Sequence, residues 1–158
     1  MKKIKILFFS FFIVFLVFSC DTDIDDADVN FIMLDLNSNE DLTFTNPAFT
    51  LNLYGVNDTI TNATEVLLAS QNYEVEELPS QIRMEIPEDP YAPIPDLADN
   101  NNARFYLEIE WDSDNNGQLC QGDIDLNYSI QNVELININR RDPQEVMLTT
   151  VPETVPCE

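Results

Sequence analysis

The sequence predicts an all-β protein, a single antiparallel β-sandwich of about seven or eight strands. Beyond residue 30 the apolar residues recur at every second position, which is the period of a strand with one buried face. No stretch shows a convincing period of 3.6, as an amphipathic helix would. Turn-forming dipeptides such as Asn46-Pro47 and Asn57-Asp58 separate the alternating segments at short intervals. The 158 residues are 44% apolar, which is enough for the core of one domain.

The predicted strands follow one another along the chain from residue 31 to residue 148. The clearest is 103–111, where Phe105, Leu107 and Ile109 face one way while Arg104 and Glu108 face the other. The other strands are predicted at 31–36, 49–53, 65–75, 82–86, 123–130, 133–135 and 146–148. A short helix over 63–72 is the alternative for that part of the chain. Prolines crowd 87–102 at a density that no central strand tolerates, so we expect a long connection there that crosses between sheets.

The N-terminus carries the features of a lipoprotein signal peptide. Lys2, Lys3 and Lys5 precede an apolar run at 6–18 that is too short for a permanent membrane span. The run ends in the letters VFSC, which resemble a bacterial lipobox with Cys20 as the lipidated cysteine. We therefore expect 1–19 to be removed and the lipids on Cys20 to hold the protein in a membrane. An ordinary cleaved signal or an uncleaved anchor is the alternative.

An acidic tether follows Cys20. Five of the eight residues at 21–28 are aspartates, and like charges keep such a run solvated and extended. The processed chain keeps four arginines against all 29 acids, a formal charge of −25. We predict a tether over 20–30 and a sandwich domain over 31–158. The aspartates are either a plain spacer or a surface-export signal of the kind found in some Gram-negative lineages, so the predicted location is the outer membrane, on its periplasmic face or at the cell surface.

Four segments in a fixed order carry a family resemblance. They are 49–56 (FTLNLYGV), 65–71 (EVLLASQ), 78–87 (LPSQIRMEIP, with Asp89-Pro90 shortly behind it) and 103–111 (ARFYLEIEW). Over about 48–130 the chain resembles the YbaY/YscW-type lipoprotein domain, a small β-sandwich of outer-membrane lipoproteins. Some members are pilotins, chaperones that help secretins of type III secretion reach the outer membrane. The resemblance implies a pilotin-like accessory lipoprotein, although the long acidic turn after residue 111 departs from the family.

The segment 112–123 fits a calcium-loop pattern, D-x-D-x-N-G with an acid at the twelfth position. Calcium takes six to eight oxygen ligands, and the glycine allows the sharp bend of such a loop. Five residues supply the candidate oxygens: Asp112, Asp114, Asn116, Gln118 through its main-chain carbonyl, and Asp123. The dipeptide Asn116-Gly117 favours a plain hairpin turn in this acidic chain, and a weak calcium site is the alternative hypothesis.

Two further modifications are predicted from short patterns. Cys120 and Cys157 remain after Cys20 is lipidated, and an even pair in an exported chain favours a disulfide over two free thiols. Thr59 lies in the triplet Asp-Thr-Ile, which resembles an O-glycosylation site of some of these bacteria. The alternative for the triplet is a plain turn.

Composition excludes most catalytic machinery. The chain has no histidine, so it has no Ser-His-Asp or Cys-His apparatus and no His-ligated zinc or haem. Its net charge of −22 argues against binding to nucleic acid, which needs a cationic surface. A carboxylate pair for glycoside hydrolysis would arise by chance among 29 acids and therefore indicates nothing. We expect no enzymatic activity.

Three roles are compatible with these features. The first is an envelope assembly or chaperone-like accessory lipoprotein, anchored through Cys20, that holds another envelope protein by a sheet edge or face. The second is a surface-exposed accessory lipoprotein for ligand binding or adhesion, stabilised by calcium. The third is a structural envelope protein without a specific ligand. The scarcity of surface aromatic residues argues mildly against a glycan-binding platform.

Overall fold

Seven strands form the regular structure of the part described by the computed structural model, residues 30–127 and 136–152. In chain order they are β1 Phe31–Ser38, β2 Ala48–Asn57, β3 Val66–Glu74, β4 Ser80–Glu85, β5 Ala103–Glu110, β6 Ile124–Leu126 and β7 Gln144–Thr150. A single 3₁₀ turn at Asn100–Asn102 precedes β5 within these residues. The all-β prediction is therefore confirmed for the described part of the chain.

The strands form two sheets. One sheet has four strands in the order β4-β1-β7-β6, and the other has three in the order β3-β2-β5. All pairings are antiparallel except β1 with β7, which is parallel from Leu34 opposite Gln144 to Ser38 opposite Leu148. The prediction of a purely antiparallel arrangement is thus wrong at this pair. More than 100 residues separate β1 from β7, so no tight turn forces them to run in opposite directions.

Both sheets contribute side chains to one apolar core. In β1, Ile32, Leu34 and Leu36 have no exposed surface, and they alternate with partly exposed residues. The core also takes the inward side chains of β2, β4, β5, β6 and β7. Burial of one such aliphatic side chain stabilises the fold by about 1.5–3 kcal/mol.

The proline-rich segment crosses between the sheets as predicted, because β4 and β5 belong to different sheets. Ile94 in this segment is buried against β2 at Gly55. A Cβ atom at Gly55 would lie 2.9 Å from Cδ1 of Ile94 and 3.0 Å from Cδ1 of Leu68. Glycine at this position therefore lets the crossing segment approach the sheet closely.

The helix considered for 63–72 is contradicted by the structure, which has β3 over most of that range. β3 pairs with β2 along its length, from Ala48 opposite Glu74 to Gly55 opposite Val66. As a strand, the backbone of β3 can form hydrogen bonds with β2. These bonds outweigh the modest helix propensity of the residues in this range.

Several predicted elements lie outside the described residues. These are the signal peptide at 1–19, nearly all of the tether at 20–30, the end of the strand at 123–130 and the strand at 133–135. Within 30–127 and 136–152, no helix is long and apolar enough to cross a membrane.

Candidate functional sites

The acidic loop, residues 112–123, connects β5 to β6 and is held at its start by a buried tryptophan. Trp111 is 1% exposed, its Nε1 donates to the carbonyl of Asn46 at 2.8 Å, and two phenylalanine rings lie 4.8 and 4.9 Å from its ring. The backbone N–H groups of Thr45 and Asn46 both donate to the carbonyl of Ser113, at 2.8 and 3.0 Å. The start of the loop is thus fastened to the connection between β1 and β2.

Asp123, the last residue of the acidic loop, is a buried hydrogen-bond acceptor. The residue is only 1% exposed. The Oδ1 atom accepts from the Ser113 N–H at 2.8 Å, the Ser113 hydroxyl at 3.3 Å and the Asp114 N–H at 3.5 Å. The Oδ2 atom accepts from the Cys120 N–H at 2.9 Å. Asp123 therefore joins both ends of the loop from inside, a role that the motif did not predict.

The other predicted ligands lie on the outer side of the loop. Both carboxylate oxygens of Asp112 accept backbone N–H groups, from Asn116 and Gly117, each at 2.9 Å. Asp114 accepts from the Asn116 N–H at 3.0 Å and from its side-chain amide at 2.8 Å. The side-chain oxygen of Asn116 accepts the N–H of Gln118 at 2.8 Å. These bonds wrap the loop around its own carboxylates.

Three of the five predicted calcium ligands come together. Oxygen atoms of Asp112, Asp114 and Asp123 all lie within 4.8 Å of one another, which matches opposed ligands of an ion bound at about 2.4 Å. Two like unit charges 4 Å apart repel by about 1 kcal/mol in water and about 4 kcal/mol near a protein surface. A bound cation would therefore reduce the repulsion among these carboxylates. Asn116 contacts the cluster as a donor, because its side-chain amide donates to Asp114 at 2.8 Å, while its side-chain oxygen accepts the N–H of Gln118. The three carboxylates fit calcium by their chemistry, and calcium binding at the loop stays a prediction.

The hairpin considered for residues 116–117 is not what the chain forms. β5 and β6 belong to different sheets, so the acidic loop is a connection between sheets. Gly117 has a φ of +86°, a value that suits glycine at the bend of the loop.

The predicted modification sites are placed in part. Cys120 is buried, while its predicted partner Cys157 and the lipidation site Cys20 lie outside the described residues. The pairing of Cys120 with Cys157 stays a prediction. Thr59 lies exposed in the turn after β2, where its N–H and hydroxyl donate to Asn57 Oδ1 at 3.1 and 2.7 Å. Its glycosylation is also a prediction.

The outer face of the three-stranded sheet carries a row of aromatic and apolar side chains that the sequence did not identify as a site. Tyr54 lies opposite Leu67 on β3 and opposite Tyr106 on β5, so the three side chains project from the same face. The two tyrosine rings stack with centroids 5.4 Å apart at an interplanar angle of 13°. Leu67 is 50% exposed. We call this row, with the carboxylates around it, the tyrosine face.

Carboxylates surround the two hydroxyl groups of the tyrosine face. Burial raises the pKa of Tyr106, and the neighbouring Glu65 carboxylate raises it further. Burial and then the charge of Glu108 raise the pKa of Tyr54, with Glu110 adding to the effect. The Tyr106 hydroxyl is buried and has no hydrogen-bond partner within the described residues. The face thus combines apolar surface with concentrated negative charge.

Side chains of β3 close the outer edge of β4 in the other sheet. The Gln71 amide donates to the carbonyl of Glu85 at 2.7 Å and accepts its N–H at 3.2 Å. The Tyr73 hydroxyl donates to the carbonyl of Arg83 at 3.0 Å. These bonds occupy backbone groups of β4 that another strand would otherwise pair with. β3 itself stands at the edge of its sheet.

Comparison with known proteins adds little to this geometry. No protein-family model matches the chain, and no curated protein matches it. The chain is similar to a solved structure described as an alternative pilotin from the type II secretion system of Vibrio cholerae, with a TM-score of 0.46 and 12% sequence identity. That match covers 78% of this chain and 97% of the other. A TM-score below 0.5 does not establish a shared fold, so membership of the YbaY/YscW-type family stays a prediction.

Proposed function

We propose that this protein is a non-catalytic accessory lipoprotein of the bacterial envelope that holds another envelope protein through its three-stranded sheet. The sequence supports the anchor, because an apolar leader ends in Cys20 and an aspartate-rich tether follows it. The same features favour the outer membrane as its place. A pilotin-like assembly role is the finer form of this proposal.

The observation that carries the proposal is the outer edge of β3, which pairs with no further strand among residues 30–127 and 136–152. This strand has nine residues, against a usual strand length of about 5–6 residues. Its sequence VLLASQNYE contains no lysine and no proline, two residues that commonly block edge pairing. Leu68 has no paired residue on β2, because Leu53 pairs with Ala69 and the next residue, Tyr54, pairs with Leu67. From Ala69 to Glu74 the pairing of β3 is regular. A partner strand adding there would gain backbone hydrogen bonds with little demand on its sequence.

A photo-crosslinking experiment in cells tests this role. A photoreactive residue replaces Ser70, exposed on β3, or Asp114, exposed on the acidic loop, as the matched control. We expect a discrete adduct with one envelope protein from position 70 only, and we expect Asn72→Lys beside it to abolish the adduct. Equal adducts from both positions, or none from position 70, would contradict the proposal.

A second candidate function is favoured by the clustering of Asp112, Asp114 and Asp123 in the acidic loop. On this reading the protein is a surface-exposed, calcium-stabilised accessory lipoprotein for ligand binding or adhesion. Extracellular calcium modules bind with dissociation constants of about 10⁻⁴–10⁻³ M. At 10 mM calcium, a dissociation constant of about 10⁻³ M stabilises the fold by roughly 1.4 kcal/mol, or several degrees in melting temperature.

Thermal unfolding and protease access test the second candidate together. Calcium at 10 mM, compared with magnesium at about the same level, is expected to raise the melting temperature of the protein and of Asp41→Asn, an exposed control outside the loop. Asp114→Asn is expected to lose the increase. Protease added to intact cells is expected to degrade the protein if it stands on the surface. Protection on intact cells, or an equal calcium effect in Asp114→Asn, rejects this candidate.

A further inference from the structure

The tyrosine face has a defined apolar centre. Tyr54, Leu67 and Tyr106 come from three adjacent strands and form one row across the sheet. The stacked tyrosine rings are only partly exposed, while Leu67 exposes half of its surface. Such a row offers a partner two aromatic rings and one aliphatic side chain at a single position of the sheet.

Negative charge borders this row on both sides. Glu65 precedes β3 beside Leu67, and Glu108 follows Tyr106 on the same side of β5. Both carboxylates lie close enough to the tyrosine hydroxyls to raise their pKa values, as described above. The arginine on this side, Arg104, is already bound to Asp58 at 3.2 Å. The charge of the two glutamates is therefore left for a partner to balance.

We propose that the tyrosine face docks a cationic segment of a partner polypeptide, in which an arginine or lysine lies against the free ring face of Tyr54 or Tyr106 and pairs with Glu65 or Glu108. Cations are attracted to aromatic faces, and a guanidinium forms paired hydrogen bonds with a carboxylate. An aliphatic residue beside the cation would pack on Leu67. The inference names the kind of partner for the binding role proposed above, and rests on that role only for the partner's place in the envelope.

Charge decides between this occupant and others. A second copy of the processed chain would bring a formal charge of −25 to a face that is already negative. An anionic lipid surface would be repelled for the same reason. A cationic polypeptide is the occupant whose charge complements the face, and association with it is favoured over long distances as well as in contact.

A peptide-binding assay tests the inference. The probe is a fluorescent peptide of sequence Gly-Arg-Leu-Arg-Gly, and the matched probe carries citrulline, which has the shape of arginine without its charge. Binding is measured at about 0.15 M salt, where charges more than about 8 Å apart are largely screened. The double variant Glu65→Gln/Glu108→Gln is compared with Glu76→Gln/Glu77→Gln, which removes the same charge from exposed positions between β3 and β4.

We expect the Glu65/Glu108 variant to bind the arginine peptide at least tenfold more weakly, and the Glu76/Glu77 variant to change less than twofold. The citrulline peptide should bind the unchanged protein at least tenfold more weakly than the arginine peptide. Equal weakening in both variants would mean general attraction to an acidic chain and would overturn the inference. Equal binding of the citrulline peptide would point to a neutral ligand and overturn it too, as would no binding at all.

A second pair of variants leaves the carboxylates intact. Leu67→Lys places a positive charge at the centre of the tyrosine face, and Leu119→Lys adds the same charge to the acidic loop, where Leu119 is 58% exposed. We expect only Leu67→Lys to abolish peptide binding while both retain the circular dichroism of the parent. Peptide binding without an adduct in cells would sink the proposed function and leave this inference standing. An adduct in cells with equal binding of both peptides would do the reverse.

Discussion

Replacement of Asp123 by alanine should destabilise the fold far more than replacement of Asp112 or Asp114, the other two acids of the cluster in the acidic loop. Asp123 is 1% exposed, and its two shortest hydrogen bonds come from the N–H groups of Ser113 at 2.8 Å and Cys120 at 2.9 Å. Both donor residues are themselves buried, at 1% and 3% exposure. After the substitution these N–H groups would have no acceptor and little access to water.

The magnitude follows from those two donors. A buried donor left without a partner costs about 1–3 kcal/mol, so two cost about 2–6 kcal/mol. The substitution also removes a negative charge that repels Asp112 and Asp114, which offsets part of the loss. Asp114→Ala is the matched control, because it relieves the same repulsion from an exposed position without orphaning a buried N–H. The difference between the two variants is therefore expected to be about 2–6 kcal/mol.

Urea unfolding measures this difference. Trp111 is the protein's single tryptophan and packs at the start of the acidic loop, so its fluorescence reports on the region directly. A chelator is present throughout, so that no bound cation contributes. With a slope of about 2 kcal/mol per molar urea, the midpoint of Asp123→Ala should lie about 1–3 M below that of Asp114→Ala. A difference below about 1 kcal/mol would refute the role assigned to Asp123.

Three further predictions concern packing, titration and cross-linking. Gly55→Ala should lower stability by about 1 kcal/mol through contact with Ile94, and adding Ile94→Val should restore part of the loss in thermal unfolding; equal stability of Gly55→Ala and the parent would contradict this packing. Burial raises the pKa of Tyr73 to about 12, so its folded form holds the proton better than the unfolded chain does. Its stabilising effect is complete below the unfolded value of about 10 and is lost as pH rises towards 12, so Tyr73→Phe should show a shallower loss of stability with pH between these values. If Cys120 pairs with Cys157, either cysteine's change to serine should cost up to roughly 3–4 kcal/mol and abolish the further effect of a reductant; a reductant effect that survives in Cys157→Ser would exclude that pair.

The alternation of apolar and polar residues predicted those strands that have one buried face and one exposed face. In β5 the buried residues Phe105, Leu107 and Ile109 alternate with partly exposed ones, as the sequence indicated. The alternation is reliable there because one face meets the core and the other meets water. The range 63–72 was ambiguous, because its residues suit a helix almost as well as a strand, and only pairing with β2 decided between them.

The candidate sites were predictable only where one short segment contains them. The spacing of Asp112, Asp114 and Asp123 in the acidic loop matches a known motif, and the structure brings their oxygen atoms within 4.8 Å of one another. The tyrosine face could not be predicted from the sequence, because Tyr54 and Tyr106 are far apart in the chain and are brought together by the register of β2 and β5. The sequence does show that each tyrosine lies on the polar side of an alternating strand. It does not show the register, which decides that the two tyrosines lie opposite each other.

The sequence by itself determined the all-β class, the proline-rich crossing and the acidic loop, and it alone carries the prediction of a lipid anchor. Each of these depends on neighbouring residues, through alternation, backbone restriction or local charge. The tertiary structure alone decided the parallel pairing of β1 with β7, the burial of Asp123 and the row of Tyr54, Leu67 and Tyr106. These features join residues that are distant along the chain, and the physical reason they form is the shared core, which sets strand order and register across both sheets.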